Sequence, residues 1–424
     1  MNTHFINAKT RLKNMLYNGY ISAKWIVFSL IAGLVVGLVG TAFYYSLSFV
    51  TGLRAEYPWL IFFLPVGGLI IVGAYHLLKN ENDTGTNLVI SSIHSGDYIP
   101  FRMTPLIFLS TAITHLFGGS AGREGAALQL GGSLGNALGK VFRFNEKDKH
   151  ILIMCGMSAS FSALFGTPMA AAIFSMEVVS VGIMHYSALV PCVCSSLTAF
   201  YLAGHLGVEK ESFLLDVIPG FTITSSVKIA GLAILCGLVS ILFCVIVHLS
   251  SKLYNKFFKN PYIRIVAGSC LVISFTLLVG SQTYNGAGMN IVALSMAGEA
   301  KPWTFLLKLL LTALTLGAGF KGGEIVPSFA TGAAFGCLFG QILGISPSLC
   351  AAVGMTSVFC GVTNSPITAL LISFELFGYK PMPYFLLAVA LSYAFSGYFG
   401  LYSTQKIIYS KYKTDYINRT TSKL

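Results

Sequence analysis

Apolar residues occur along the chain in long stretches separated by short polar gaps. An α-helix rises about 1.5 Å per residue, so a full membrane crossing takes roughly 20 apolar residues. We therefore expect an all-α integral membrane protein with many half-length or tilted helices, because interrupted stretches mark helices that end at membrane depth. Stretches of full or nearly full length lie at 25–50, 58–78, 226–249, 263–280 and 303–320. Shorter ones, broken by Gly or Pro, lie at 104–118, 125–143, 150–165, 168–184, 330–345, 347–362 and 366–378.

The second half of the chain repeats the motifs of the first half in the same order. Five motifs recur at a spacing of 198 to 203 residues, which predicts a duplication. The recurring pairs are 85–89 with 288–292, 122–124 with 322–324, 131–139 with 332–340, 155–158 with 353–356, and 167–177 with 365–375. The predicted divisions are an N-terminal segment at 1–20, a first membrane repeat at 21–205, a connection at 206–225, a second membrane repeat at 226–405 and a basic tail at 406–424.

Composition excludes a soluble protein. Hydrophobic residues make up 55% of the chain and charged residues 10%, with a mean hydropathy of +0.75, whereas a soluble domain carries about 25% charge. A secreted enzyme, a nucleic-acid binder and a disordered scaffold are excluded on the same ground. The nine cysteines form no CxxC pair, so we expect buried free thiols, no disulfide, no metal site and no cofactor.

Basic residues flank the apolar region at both ends of the chain. Cytoplasmic loops of membrane proteins carry an excess of Lys and Arg, so both termini are expected to be cytoplasmic at a cell membrane. The flanking residues are Lys9, Arg11, Lys13 and Lys24 before it, and Lys406, Lys411, Lys413, Arg419 and Lys423 after it.

Only four of the fifteen acidic residues lie within apolar stretches, and they form two repeat-related pairs, Glu124 with Glu324 and Glu177 with Glu375. A carboxylate inside a membrane is costly and by default functional. Glu124 follows a glycine-rich segment that opens a helix, where a carboxylate can act as gate and proton carrier. The alternative is an ion pair with Arg123 that pins the loop.

The other three intramembrane glutamates have stronger structural alternatives. Glu324, the repeat-mate of Glu124, either takes part in gating and proton transfer or holds a loop. Glu177 and Glu375 each end an apolar stretch, so capping and tethering of a helix end is the favoured interpretation.

Glycine-rich segments that precede helices are present in both halves. A helix N-terminus presents free N–H groups and a partial positive charge, so it attracts anions. Duplicated membrane folds place their substrate site between the halves, where such helix ends converge. These features predict an anion site near the middle of the membrane. Polar side chains available as donors are Thr86, Asn87, Asn290 and Tyr402, and for Thr86 a bond to a neighbouring helix is an equal alternative.

At these motifs the chain resembles the CLC family of chloride channels and proton-coupled anion exchangers. Residues 122–125 read Gly-Arg-Glu-Gly, similar to the family's GREGP signature, with Ala126 in place of proline. Residues 323–327 resemble its GxFxP segment, and Tyr402 resembles its pore tyrosine. The resemblance implies a CLC-type inverted repeat of about eighteen helices and a homodimer with one pore per subunit. It implies a gating role for Glu124 and an anion site at Gly122, Arg123, Gly125, Glu324, Ile325, Val326 and Tyr402.

Departures from the family pattern favour fluoride over chloride as the transported anion. The usual serine loop reads Gly85-Thr86-Asn87, and a second glutamate, Glu324, follows two glycines, as in the bacterial fluoride-exporting branch. The chain departs from that branch at two positions: Thr86 stands where the branch has methionine, and Val326 stands where it has threonine. We expect proton-coupled exchange of a halide, with a passive chloride channel as the alternative. An intramembrane enzyme is a remote alternative, because it needs a paired carboxylate–metal or nucleophile–base motif; a silent scaffold would not explain glutamates beside glycine loops.

Overall fold

The protein is described by a computed structural model covering residues 2–81, 83–215 and 217–421. The tail residue Lys423 lies outside this part of the chain. The described residues form sixteen α-helices and two short 3-10 helices, close to the expected eighteen. The first series of α-helices is α1 (Asn2–Glu56), α2 (Leu64–Leu77), α3 (Thr86–Ser95), α4 (Met103–Leu116), α5 (Glu124–Val141), α6 (Glu146–Phe165), α7 (Pro168–Glu177) and α8 (Leu189–His205).

The second series of eight follows the first in matching order. Each of α3 to α8 has a partner of similar length among α11 to α16, as the internal repeat predicts. The 3-10 helices, Pro58–Phe63 and Tyr186–Ala188, precede α2 and α8. The second series is α9 (Ile223–Phe257), α10 (Pro261–Val279), α11 (Met289–Met296), α12 (Thr304–Gly317), α13 (Ile325–Leu343), α14 (Pro347–Thr363), α15 (Pro366–Phe377) and α16 (Met382–Phe395).

Helix lengths divide into full spans and shorter pieces. Among the described residues, six helical stretches are long and apolar enough to cross a membrane, those of α1, α2, α8, α9, α10 and α13. The apolar stretch 303–320, expected to span, yields only the 14 residues of α12. Its chain leaves the helix at Gly317, and Gly319 has a φ of +109° that a side chain would rarely adopt.

Glycine ladders bring the central helices of each half together. A Cβ at Gly131 of α5 would clash with the carbonyl of Gly156 in α6, and a Cβ at Gly336 of α13 would clash with the carbonyl of Cys350 in α14. Gly131, Gly135 and Gly139 recur as Gly332, Gly336 and Gly340, and a glycine at every fourth position lets two helices approach this closely. These contacts hold α5 and α13 in place, and the N-termini of these two helices lie at the centre of the molecule.

A small sheet adds strands to the expected all-helical fold. Its strands are β1 (Ser180–Val181), β2 (Lys406–Tyr409) and β3 (Tyr416–Thr420), in the order β1-β2-β3. β1 pairs parallel to β2, with Val181 opposite Ile407, and β3 pairs antiparallel to β2. Beyond β3, the Thr421 hydroxyl donates to the Tyr402 carbonyl at 2.8 Å. The described part of the basic tail, 406–421, is therefore folded and contacts the segment that carries Tyr402.

Candidate anion pathway

The two glycine-rich loops meet at the centre of the fold. The Gly122 amide donates to the Gly323 carbonyl at 2.6 Å, and the Gly323 amide donates to the Gly122 carbonyl at 2.8 Å. α5 begins at Glu124 and α13 at Ile325, immediately after this antiparallel bridge. The first-turn N–H groups of both helices lack partners within their own helix. The two repeats thus bring two helix N-termini to one place, as the sequence predicts.

Glu124 is the first residue of α5 and is 1% exposed. Its carboxylate accepts from the Arg123 backbone N–H at 3.1 Å and from Arg123 Nε at 3.3 Å. The ion pair anticipated as the structural alternative is therefore present. It coexists with the gating hypothesis, because a carboxylate at a helix N-terminus occupies the position that favours an anion.

Glu324 is the N-cap residue of α13, and its side chain reaches toward the other repeat. A Cβ at Gly125 would lie 3.5 Å from the Glu324 carboxylate oxygen Oε2 and 2.8 Å from the Gly323 Cα. Only glycine at position 125 permits this approach. The Glu324 carboxylate thus stands at the N-terminus of α5, whereas the Glu124 carboxylate stays with Arg123.

Tyr402 is buried, with 2% of its surface exposed. Its hydroxyl has no hydrogen-bond partner among the described residues. Buried hydroxyls are nearly always bonded, so a lone one calls for an explanation. Tyr402 interacts electrostatically with both Glu324 and Glu124. Its hydroxyl is therefore a donor without a protein acceptor, and Tyr402 interacts electrostatically with two carboxylates at helix N-termini.

Thr86 and Asn87, at the start of α3, use their side-chain oxygens to hold neighbouring segments. The Thr86 hydroxyl donates to the Gly125 carbonyl at 3.2 Å and accepts from Gln129 Nε2 at 3.2 Å. The Asn87 Oδ1 accepts from the Thr404 amide at 3.2 Å. Both residues border the site, and the alternative of a helix-to-helix bond is realised for Thr86. Their roles as anion donors stay predictions.

The remaining predicted residues differ in their burial. Ile325 and Val326 are fully buried in the first turn of α13, where they contribute backbone amides. Asn290 is instead exposed, and its amide donates to the Thr283 carbonyl at 3.0 Å. It lies near the start of α11, on the wall of a side cavity. This wall also includes Arg123.

That side cavity, called the Arg54 cavity below, contains two charged residues that sequence reasoning missed, Arg54 and Glu211. Its volume is about 400 Å³, and Arg54, Arg123 and Glu211 lie on its wall. Arg123 Nη2 forms an ion pair with Glu211, which belongs to the connection between α8 and α9. Burial raises the pKa of the Glu211 carboxyl above its ordinary value, while the Arg123 charge opposes the shift. Arg123 therefore contacts two carboxylates at once.

Lys308 is a buried lysine that sequence reasoning also overlooked. It is fully buried in α12, and its ammonium donates to Ser120 Oγ at 2.9 Å, to the Tyr284 carbonyl at 3.1 Å and to the Gly286 carbonyl at 2.6 Å. It joins the loop before α5 to the loop before α11. The signal for it in the sequence is a lysine inside the apolar stretch 303–320.

Glu177 and Glu375 cap helices across the repeat boundary. Glu177 accepts from the Ile367 and Thr368 amides of α15 at 3.0 and 2.8 Å. Glu375 accepts from the Met169 and Ala170 amides of α7, both at 2.9 Å. Each carboxylate satisfies the N-terminus of the helix that carries the other. The capping interpretation of both glutamates is confirmed.

Comparison with known proteins adds an independent finding. The sequence profile of the voltage gated chloride channel family matches residues 67–397. The chain is 34% identical over 397 residues to a chloride/fluoride channel protein of Pseudomonas syringae pv. tomato, covering 92% of this chain and 88% of that one. It is 26% identical to the H(+)/Cl(-) exchange transporter ClcA of Vibrio cholerae, covering 82% and 81% of the two chains.

Solved structures give the same grouping. The chain superposes on the crystal structure of a CLC-type fluoride/proton antiporter with a TM-score of 0.87 and 34% identity, covering 90% of this chain and 98% of that one. A slow cyanobacterial Cl-/H+ antiporter shares the fold at 19% identity, with a TM-score of 0.76 and coverage of 88% and 94%.

Proposed function

The chain belongs to the CLC family of voltage gated chloride channels, and from this premise we propose that it exchanges small halide anions for protons across the cell membrane, with fluoride favoured over chloride. The family is one of membrane transporters and channels. The two relatives that are 34% identical are a chloride/fluoride channel protein and a fluoride/proton antiporter, and they support the choice of fluoride.

One observation carries the proposal: the Tyr402 hydroxyl has no hydrogen-bond partner among the described residues and interacts electrostatically with two carboxylates at paired helix N-termini. A halide there would accept from the Tyr402 O–H and from first-turn amides such as those of Ile325 and Val326. Helix N-termini favour a negative charge of any chemical type. The same position therefore suits the halide or a glutamate carboxylate, but not both when both are charged.

Competition for this position supplies the coupling. With no halide bound, an ionised carboxylate of Glu124 or Glu324 takes its place at the helix tips. Protonation removes that charge, frees the tips for a halide, and turns the carboxyl into a donor. Movement of Glu124 away from Arg123 then carries its proton toward one side as the halide passes toward the other.

A second carboxyl is the feature of this site that favours fluoride. Fluoride holds water more tightly than chloride, so its site has to supply several strong donors. Glu124, Glu324 and Tyr402 can together provide three O–H groups when both carboxyls are protonated. Thr86 and Asn87, already bonded to neighbouring segments, would complete the shell only after exchanging partners.

Orientation and assembly complete the proposal: both termini face the cytoplasm, and two copies form a homodimer with one pore each. Contacts within the fold support a common side for the two ends. Lys24, which directly precedes the apolar stretch of α1, pairs with Asp148 at the start of α6 at 3.5 Å. His94 and His185, with ring centroids 6.3 Å apart, lie beside the strand β1 that pairs with the C-terminal β2. The Arg54 end of α1 would then face outward.

Halide efflux from proteoliposomes tests the proposal. Vesicles loaded with equal fluoride and chloride are diluted into halide-free buffer, and ion-selective electrodes record each anion while an external electrode records pH. We expect fluoride efflux to exceed chloride efflux. We also expect protons to enter the vesicles as fluoride leaves, so that the external pH rises. Chloride efflux without proton movement would favour the passive channel instead, and lipid turnover without anion flux would contradict transport.

A further inference from the structure

The Arg54 cavity adjoins the helix tips through Arg123, which lines the cavity and directly precedes Glu124. We propose that this cavity is an outer capture site for a small monovalent anion, with Glu211 as a tethered carboxylate that the anion displaces from Arg123. The inference rests on the proposed transport function and adds a second anion position with its own residues. It assigns roles to Arg54 and Glu211, which lie outside every motif of the sequence.

Arg54 is a guanidinium without a carboxylate partner among the ion pairs of the described residues. Its Nη1 donates to the His115 carbonyl at 3.1 Å. A Cβ at Gly286 would lie 2.9 Å from both Nη atoms, so glycine at that position leaves room for the guanidinium. An arginine carries five N–H donors in a fixed fork, and a carbonyl uses only part of that capacity. The remaining donors suit an anion.

Charge around the cavity is unbalanced toward the positive. Two guanidinium groups, those of Arg54 and Arg123, lie on the cavity wall with a single carboxylate, that of Glu211. Glu211 is paired with Arg123, whereas no carboxylate among the described ion pairs faces Arg54. A half-buried guanidinium without a counter-charge favours a bound anion, which it can hold through charge-assisted hydrogen bonds.

The contacts of Glu211 would allow an anion to displace its carboxylate from Arg123. One of its oxygens pairs with Arg123, whereas its Oε2 is buried without a hydrogen-bond partner among the described residues. A carboxylate fixed for structural reasons would have both oxygens satisfied. It lies in the connection between α8 and α9 rather than in a helix, so it can move without disturbing the helix packing.

Arg123 links capture to gating because it bonds both Glu124 and Glu211. An anion that takes the place of Glu211 would remain beside Arg123 and next to the position of the Glu124 carboxylate. The walls also carry polar side chains such as Ser48, Thr51 and Gln282, which can bond a partly hydrated anion. The cavity would therefore raise the local halide concentration directly outside the gate.

The test separates capture from transport by kinetics. Protein is reconstituted in one orientation by capture of a C-terminal tag, and fluoride is supplied on the opposite face, where Arg54 is expected to open. Initial rates over a range of fluoride concentrations give the half-saturating concentration and the maximal rate. The variants are Arg54→Gln, the conservative Arg54→Lys and Glu211→Gln. Glu209→Gln is the matched control, because Glu209 is exposed in the same connection.

We expect Arg54→Gln to raise the half-saturating fluoride concentration ~10-fold, the effect of losing a charged hydrogen bond. Its maximal rate and proton coupling should stay near wild type, and Arg54→Lys should restore part of the affinity. Glu211→Gln should lower the half-saturating concentration, and Glu209→Gln should leave it unchanged. The Arg54 effect should shrink at high ionic strength.

Unchanged half-saturating concentrations in both Arg54→Gln and Glu211→Gln would overturn the capture site. So would a loss confined to the maximal rate, which indicates a structural role. If Arg54→Gln fails to fold, Glu211→Gln still tests the capture site, because its half-saturating fluoride concentration is expected to fall and not to rise. Absence of halide transport in the wild type would instead contradict the proposed function, so the two failures are distinguishable.

Discussion

Gly122 and Gly323 exchange both backbone hydrogen bonds, at 2.6 and 2.8 Å, although they lie 201 residues apart in different repeats. This bridge fixes the tips of α5 and α13 to one another. A rigid pair of helix ends cannot open and close as a gate. Motion in the pathway therefore has to come from side chains, and Glu124 and Glu324 are the acidic residues beside the bridge.

Replacing Gly125 tests the need for this close approach. A Cβ there would lie 2.8 Å from the Gly323 Cα, so Gly125→Ala has to push the two loops apart. We expect a lower midpoint of thermal unfolding in detergent and a loss of fluoride flux, since overpacking costs about 1–3 kcal/mol.

Gly73→Ala is the control for this substitution. Gly73 lies in α2, and a Cβ there meets nothing within 4 Å. Alanine is the better helix former by about 0.5–1 kcal/mol, so this variant should be as stable as wild type or more so. Equal stability and flux for the two variants would show that Gly125 is not needed for contact between the repeats.

Removing the Tyr402 hydroxyl should weaken halide binding without weakening the fold. The hydroxyl has no protein partner among the described residues, so Tyr402→Phe deletes no internal hydrogen bond. We expect fluoride affinity, measured by isothermal titration calorimetry in detergent, to fall about 10- to 100-fold, the range for a hydrogen bond to a charged group. The unfolding midpoint should stay within experimental error.

Tyr384→Phe gives the opposite pattern and serves as its control. Tyr384 is also buried, but its hydroxyl contacts the Gly220 carbonyl at 2.7 Å and Ser225 Oγ at 2.9 Å. Its loss should lower stability by about 1 kcal/mol and leave fluoride affinity unchanged. If Tyr402→Phe binds fluoride as wild type does, Tyr402 is not an anion ligand.

The reciprocal caps should matter for stability and not for coupling. Glu177 accepts two amides and the Thr368 hydroxyl, the last at 2.6 Å. Glu177→Gln replaces one carboxylate oxygen by a donor, so we expect the unfolding free energy to fall by about 1–2 kcal/mol. Glu375→Gln should do the same. Protons moved per fluoride, measured in liposomes, should match wild type; a changed ratio would make these residues part of the proton route.

The internal repeat predicted the centre of the site, because corresponding glycines and glutamates recur at nearly constant spacing. Glu124 and Glu324 were predicted in this way, whereas Tyr402 was predicted from its resemblance to the pore tyrosine of the CLC family. The reciprocal contacts of Glu177 and Glu375 were not foreseen, because a repeat pairs equivalent positions and does not say which helix each side chain touches. Hydrogen bonds to the opposite repeat depend on how the halves are packed.

Arg54, Glu211 and strand β2 were not predicted from the sequence for a related reason. Arg54 and Glu211 are ordinary charged residues at a helix end and in a connection, and only the fold brings them to Arg123. β2 was read as part of a charged tail because its partner strand, β1, lies more than 200 residues earlier in the chain. Such long-range pairing leaves little local pattern to recognise.

Proton movement in Glu124→Gln is the most direct measurement of the central claim that a titratable side chain at the helix tips couples halide to protons. Liposomes with an outward fluoride gradient and no pH gradient are followed by fluoride and pH electrodes, for wild type, Glu124→Gln and the structural control Glu177→Gln. We predict that wild type and Glu177→Gln take up protons as fluoride leaves, and that Glu124→Gln shows none, with fluoride flux either absent or uncoupled. Proton uptake per fluoride equal to that of wild type in Glu124→Gln would contradict the account.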